Sequence, residues 1–138
     1  MDDRYVYAYI GTLSIIIALF IEFLIGIYIN LAIPSAVLSG STITNGHYSP
    51  GDFMLIMVHI SLGFFIVLIS FLILTLSIKL KRAKLIFASS LATAFIITAV
   101  SVEILFLFKS TELYSFTTKS AFIIALVSEL YYIYRIRH

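Results

Sequence analysis

Three residues that can ionise or bind a metal lie within long, mostly apolar stretches of this sequence: Glu22, His59 and Glu103. A charged side chain near the centre of a bilayer costs roughly 2.5–3.5 kcal/mol on insertion scales, so such residues mark paired or functional positions. Two carboxylates and one imidazole can bind a divalent metal, relay protons or hydrogen-bond a quinone. His59 can also be the axial ligand of a b-type haem. The structural alternative is that the three groups pair with one another and fix the register of the helices.

These three residues are predicted to lie at similar depth in the outer half of a membrane. Glu22 is about nine residues, or roughly 13 Å along a helix, before the end of the first apolar stretch. His59 is about six residues into the second stretch, and Glu103 about five before the end of the third, so antiparallel helices bring them to one level. Asn30, His47 and Lys109 are near enough to join them. The sequence therefore predicts a structural polar cluster of Glu22, Asn30, His59 and Glu103, with a candidate metal site at Glu22, His59 and Glu103.

The remaining polar residues are given structural interpretations. Glu129 lies apart, in the inner half, and is expected to pair with Tyr132 or with an arginine at the inner boundary. A haem held by two histidines needs a second deep imidazole, whereas His47 falls in a loop and His138 at the opposite end. His47 is interpreted as a solvated loop residue. The basic stretch 79–84 is interpreted as an orientation signal, with binding to anionic lipid head groups as the alternative.

Small residues share a helix face with each of the three candidate ligands. Small side chains let helices approach closely where lipid supplies no hydrophobic drive between them, so these faces are predicted to point into a bundle. The third stretch carries two such stripes. The first contains Ser89, Ala92, Ala99 and Glu103, and the second contains Ser90, Ala94, Thr98 and Ser101. The second stripe is expected to pack against a partner, unless this helix is central and uses both stripes internally.

The composition requires lipid around most of the chain. Of 138 residues, 62% are hydrophobic and 12% charged, and the mean hydropathy is +1.12. A soluble domain of this size cannot hide so much apolar surface. Four stretches have the length of membrane-spanning helices, about residues 9–31, 53–80, 84–108 and 116–134, with an outer loop at about 35–52. The prediction is one all-α domain, a four-transmembrane-helix bundle of up-down-up-down topology in the cell membrane.

Lysine and arginine set the predicted orientation, because cytoplasmic loops carry an excess of them. Seven of the nine basic residues fall at one side of the predicted bundle, and only Lys109 and Lys119 fall at the other. The seven are Arg4, Lys79, Lys81, Arg82, Lys84, Arg135 and Arg137. Both termini are therefore predicted to be cytoplasmic, and the loop at 35–52 to be outside.

Several classes of protein are excluded by missing residues and motifs. The chain has no cysteine, which removes disulfides, thiolate metal sites and iron–sulfur clusters. It has no Walker A, G-x-G-x-x-G, H-E-x-x-H or G-x-S-x-G motif. A net charge of +2 is too small to indicate nucleic acid.

A set of short motifs spans nearly the whole chain: Gly26, Asn30 and Leu31 before Pro34; His47 and Pro50–Gly51 in the loop; His59 with Gly63; and Ser120–Ala121–Phe122 in the fourth stretch. In these motifs the chain resembles a family of small, functionally uncharacterised four-helix membrane proteins of bacteria and archaea. Glu103 departs from the pattern, which has Asn or Gly near that place. The resemblance implies the fold and topology, but no activity.

The functional expectation is a membrane subunit without catalytic activity of its own, packed within a larger membrane complex. Minimal mass outside the membrane and the absence of a catalytic motif favour this interpretation. A respiratory electron-transfer complex is the expected setting, because such small subunits occur there. The expected contacts are the lipid bilayer and other membrane subunits or a second copy of the chain. The alternative is a four-helix membrane protein that binds b-type haem through His59, a metal or a quinone.

Overall fold

The computed structural model of the protein describes residues 3–32, 50–108 and 112–137. They form four α-helices: α1 is Asp3–Ala32, α2 is Pro50–Leu80, α3 is Ala83–Phe108 and α4 is Glu112–Arg137. The described ranges contain no strand, so the predicted all-α class is confirmed. α1 begins earlier and α4 ends later than the apolar stretches indicated, because backbone hydrogen bonding continues beyond the last apolar side chains.

The four helices form a closed ring in which α1 and α3 each pack against both α2 and α4. Only Lys81 and Arg82 separate α2 from α3, and so short a connection requires the two helices to be antiparallel. Lys81 has a φ of 55°, and its amide donates to the carbonyl of Ile78 at 3.1 Å. This left-handed residue ends α2 and turns the chain into α3.

Three helical segments within the described residues are long and apolar enough to cross a membrane: Asp3–Ile29, Met54–Leu80 and Ala83–Leu105. The chain is therefore a membrane protein. α4 has 26 residues, which is long enough to cross, but it carries Lys119, Glu129 and two arginines in its last turn. α4 packs along α1 and α3, which are both long and apolar enough to cross a membrane. We therefore predict that α4 crosses the membrane beside them.

The interior of the ring contains branched aliphatic side chains with small hydroxyl residues between them. Ile15, Ile66 and Ile96 are each at most 1% exposed. Most buried serine hydroxyls donate within their own helix, as when Ser89 donates to the carbonyl of Leu85 at 2.8 Å. Helices of this kind can pack closely without leaving unpaired polar groups.

The outer surface is apolar, and it includes the second small-residue stripe of α3. Large side chains such as those of Leu68 and Phe87 are 65% and 67% exposed, as expected where lipid is the solvent. Ser89 and Ala92 of the first stripe are buried. The four residues of the second stripe are all exposed: Ser90, Ala94, Thr98 and Ser101. The alternative in which α3 uses both stripes internally is therefore wrong.

Candidate metal-binding site between three helices

Glu22, His59 and Glu103 meet inside the ring, each supplied by a different helix. Glu22 is on α1, His59 on α2 and Glu103 on α3. Nε2 of His59 is 2.6 Å from Oε1 of Glu103, and Nδ1 of His59 is 3.1 Å from Oε1 of Glu22. The imidazole thus lies between two carboxylates, and it links three helices through one side chain.

The two contacts of the imidazole differ in kind. The contact of Nε2 with Glu103 has hydrogen-bond geometry and the short length of a charge-assisted bond. Nδ1 lies within ion-pair distance of Glu22, but the direction of its hydrogen does not meet the Glu22 oxygen. We regard the Glu22 contact as electrostatic, because a hydrogen bond requires alignment as well as distance.

Burial leaves part of this cluster unsatisfied. Glu22 is 8% exposed and His59 is 6% exposed, whereas the side chain of Glu103 is 28% exposed. Oε2 of Glu22 is buried and has no hydrogen-bond partner among the described residues. A buried carboxylate oxygen without a donor is costly, so an additional positively charged or donor group would stabilise it.

Two glycines make room for the cluster, each beside the ligand of the opposite helix. A Cβ placed on Gly63 of α2 would lie 3.2 Å from Oε1 of Glu22, which is on α1. A Cβ placed on Gly26 of α1 would lie 3.4 Å from Cε1 of His59, which is on α2. The helices α1 and α2 therefore approach closely where their polar side chains cross.

A cavity of about 240 Å³ adjoins the cluster and is lined mostly by apolar side chains. Glu22, His59 and Glu103 all contribute to its wall, and α4 adds Thr118 and Lys119. The side chain of Lys119 is exposed. Apolar walls with a few convergent polar groups are typical of sites that hold a small ligand or ion.

The arrangement of donor atoms is compatible with a metal ion. One ligand atom from each of Glu22, His59 and Glu103 lies within 4.8 Å of the others. Zinc holds imidazole nitrogen and carboxylate oxygen at about 2.0–2.2 Å, which places such ligands roughly 3.5 Å apart. The two imidazole nitrogens face different carboxylates, so a metal held by one nitrogen would require the carboxylate beside the other nitrogen to reorient towards it. The three donors would leave at least one coordination position towards the cavity.

The sequence predicted the meeting of these three residues, and their proximity and inward orientation are confirmed. The side chain of Asn30, and all of His47 and Lys109, lie outside the described residues. That they join the polar cluster, and that His47 lies in a solvated loop, therefore stay predictions.

The predicted hydrogen bond between Glu129 and Tyr132 is wrong. The hydroxyl of Tyr132 is 2.8 Å from Oγ of Ser77 on α2, and Oε2 of Glu129 has no hydrogen-bond partner among the described residues. The long side chain of Tyr132 carries its hydroxyl across the ring to Ser77 on α2.

Sequence reasoning did not assign the site roles of Gly26, Gly63 and Lys119. A signal for the glycines is present, because each follows a polar residue of its own helix by four positions: Glu22 precedes Gly26, and His59 precedes Gly63. That spacing puts each glycine on the same helix face as the ligand. Lys119 gives no such signal, since its approach to the cavity depends on how α4 packs.

No family model, curated protein or solved structure matches this chain. The resemblance to four-helix membrane proteins of bacteria and archaea therefore stays a prediction, and function is argued from the site alone.

Proposed function

We propose that this protein binds a divalent transition-metal ion inside the membrane through Glu22, His59 and Glu103. The observation that carries the proposal is the convergence of these donors from three helices, with the buried Oε2 of Glu22 left unpartnered. One imidazole and two carboxylates suit zinc, manganese or iron among the ions common in proteins.

Charge balance favours a metal over the other ligands. Two carboxylates in an apolar interior need compensating positive charge, and a protonated imidazole supplies only one. A divalent ion would neutralise both carboxylates while His59 binds it in the neutral form. A quinone could hydrogen-bond to the same groups, but it would leave the carboxylates uncompensated.

The shortage of histidine disfavours haem. A haem held by two histidines needs a second imidazole within the membrane. His59 is the only histidine within the described residues. Haem therefore ranks below a simple ion as the ligand of this site.

The proposal is tested by titrating zinc and manganese into metal-free protein in a neutral detergent, with calorimetry and metal analysis. Wild-type protein is expected to bind one ion per chain. Glu22→Gln and His59→Gln each remove a direct ligand. Their affinities should fall by more than the roughly 10–100-fold that loss of an outer-shell partner costs.

Glu129→Gln is the matched control, because Glu129 is an equally buried carboxylate that does not belong to the cluster. It should keep wild-type affinity and stoichiometry. The proposal fails if the wild type binds no ion in this range, or if Glu129→Gln loses as much affinity as Glu22→Gln.

A second candidate function, compatible with the first, is a subunit of a larger assembly in the cell membrane. The exposed stripe of Ser90, Ala94, Thr98 and Ser101 favours it. Small residues on a lipid-facing side suit close contact with another helix, because membrane association depends on packing and interhelical hydrogen bonds. The occupant would be a larger subunit, a respiratory one being the original expectation, or a second copy of this chain.

Native mass spectrometry from a mild detergent tests the assembly. We expect the wild type as a dimer or with a copurifying polypeptide, and Ala94→Leu as a folded monomer, because a bulky side chain blocks close approach. Phe20→Leu, exposed on α1, which lies diagonally opposite α3 in the ring, should leave the assembly intact. A wild-type protein that stays a stable monomer would contradict the assembly without affecting the metal proposal.

A further inference from the structure

A second cavity, of about 360 Å³, lies at the opposite end of the bundle from the metal-binding cluster. It is lined by Arg82, Ala83, Lys84, Leu85 and Arg135. The cations come from two sources: Arg82 and Lys84 lie at the turn and first residues of α3, and Arg135 lies in the last turn of α4. The helices α3 and α4 pack side by side, so the cavity opens between their ends at the side that holds both chain termini.

The positive charges of this cavity are not balanced within the described residues. Every salt bridge recorded there involves His59, so no described carboxylate lies within ion-pair distance of these three cations. Nε of Arg135 is buried and has no hydrogen-bond partner among the described residues. Three cations around one opening repel one another, and an anion between them would remove that repulsion.

The guanidinium of Arg82 is held by an aromatic ring. It stacks over Tyr5 of α1, with Cζ 5.1 Å from the ring centroid. Stacking leaves the N–H groups at the edge of the guanidinium free to donate to another group. α1 therefore positions one wall of a cavity whose other walls belong to α3 and α4.

The depth of the cavity matches the head-group layer of a bilayer. The apolar span of α2 ends at Leu80 and that of α3 begins at Ala83, so residues 82–85 lie at the boundary between hydrocarbon and water. Phosphate groups of phospholipids occupy this level. Basic pockets between membrane helices at that level are suited to anionic head groups.

The surface next to the cavity can also accommodate acyl chains. Phe87 follows Lys84 by three residues and is 67% exposed; Tyr131 precedes Arg135 by four and is 43% exposed. Both lie about one helical turn deeper in the membrane than the cation of their own helix. A free phosphate ion would not use this apolar surface, whereas a lipid would.

We propose that the cavity formed by Arg82, Lys84 and Arg135 is a specific site for the phosphate head group of one anionic phospholipid. The phosphate oxygens accept from Arg135 and Lys84 at the mouth between α3 and α4, and from the edge of the Arg82 guanidinium. The acyl chains run along the exposed side chains of Phe87 and Tyr131. The lipid thereby holds together the ends of α3 and α4, and this inference stands whether or not the metal proposal does.

The experiment measures lipid bound to the full chain in a neutral detergent by native mass spectrometry, during titration with phosphatidylglycerol or with phosphatidylcholine of the same acyl chains. We expect one phosphatidylglycerol per chain to bind at least about fivefold more tightly than phosphatidylcholine. Arg135→Gln and Lys84→Gln should each remove roughly fivefold of that preference, as expected for one basic residue near anionic lipid.

Lys79→Gln is the matched control, because it removes one exposed positive charge at the same end without touching the cavity. It should keep the wild-type preference, and circular dichroism should show that all variants retain their helices. Arg135→Lys keeps the charge but lacks Nε, and it should bind more weakly than wild type and more tightly than Arg135→Gln.

Three outcomes would overturn the proposal. Equal losses in Lys79→Gln and Arg135→Gln would mean diffuse surface charge instead of a site. Equal binding of the two lipids would remove the role of the anionic head group. Competition by inorganic phosphate at concentrations similar to those of phosphatidylglycerol would assign the cavity to a free anion.

Discussion

At the scale of single residues, the polar cluster depends on side chains that occupy the same small volume. His59 contacts Glu103 at 2.6 Å and Glu22 at 3.1 Å, and Gly63 lies directly beside the Glu22 carboxylate. Removing one member of such a buried set costs more than the interaction was worth, because it strands the remaining polar atoms.

The Glu22 side chain gives the first prediction. Glu22→Leu leaves Nδ1 of His59 without an acceptor nearby and should lower the free energy of unfolding by about 1–3 kcal/mol. Glu22→Gln keeps an oxygen in place and should cost less. Thermal or denaturant unfolding in one detergent compares them, and a Leu variant as stable as the Gln variant would show that the Glu22–His59 contact is not structural.

Gly26 and Gly63 give a second prediction: replacing each with alanine should change stability in opposite directions. Alanine at position 26 meets ordinary contacts, so Gly26→Ala should stabilise the helix by up to about 0.5–1 kcal/mol. A Cβ at position 63 would lie 3.2 Å from Oε1 of Glu22, tighter than an ordinary contact, so Gly63→Ala should cost about 1–3 kcal/mol, which outweighs the helix gain. Equal shifts of the melting temperature for both variants would contradict the crowding described for Gly63.

Much of the site could be predicted from residue types and spacing. Counting positions from the ends of apolar stretches placed Glu22, His59 and Glu103 at one level, because helical rise and antiparallel order fix depth. The pairing geometry could not be predicted, since it depends on side-chain rotation within the ring. The partner of Tyr132 was missed for the same reason.

At the scale of elements, the helix bounds and the turn between α2 and α3 follow local rules. Apolar length predicted where the membrane helices are, but not where their hydrogen bonding ends, because polar residues such as Asp3 and Arg137 continue a helix outside the hydrocarbon. The exposure of the second α3 stripe agrees with the expectation that a bundle of four helices leaves part of so wide a face of small residues uncovered.

The turn gives a third prediction. Lys81 has a φ of 55°, a conformation that costs a residue with a Cβ roughly 1–2 kcal/mol relative to the right-handed region. Lys81→Gly should therefore raise the free energy of unfolding, by up to about 1 kcal/mol after the entropy of glycine is included. Lys81→Ala keeps the Cβ and should give no such gain; a gain of equal size there would assign the effect to charge.

At the scale of the whole molecule, the distribution of basic residues predicts the orientation in the membrane. Seven of the nine basic residues lie at the end with the termini, which predicts that this end is cytoplasmic. The chain has no cysteine of its own, so single cysteines report cleanly. Ser41→Cys, in the predicted outer loop beyond the described residues, should react with an impermeant thiol reagent in intact cells, and Lys81→Cys should not. The reverse pattern would invert the topology.

The central claim is that Glu22, His59 and Glu103 bind one metal ion, and X-ray absorption at the zinc edge tests it most directly. For zinc-loaded wild-type protein, we predict one imidazole nitrogen and carboxylate oxygens at about 2.0–2.2 Å from the metal. The imidazole signal should be lost in His59→Gln. A shell of oxygen alone in the wild type, or an imidazole signal that persists in His59→Gln, would contradict the account.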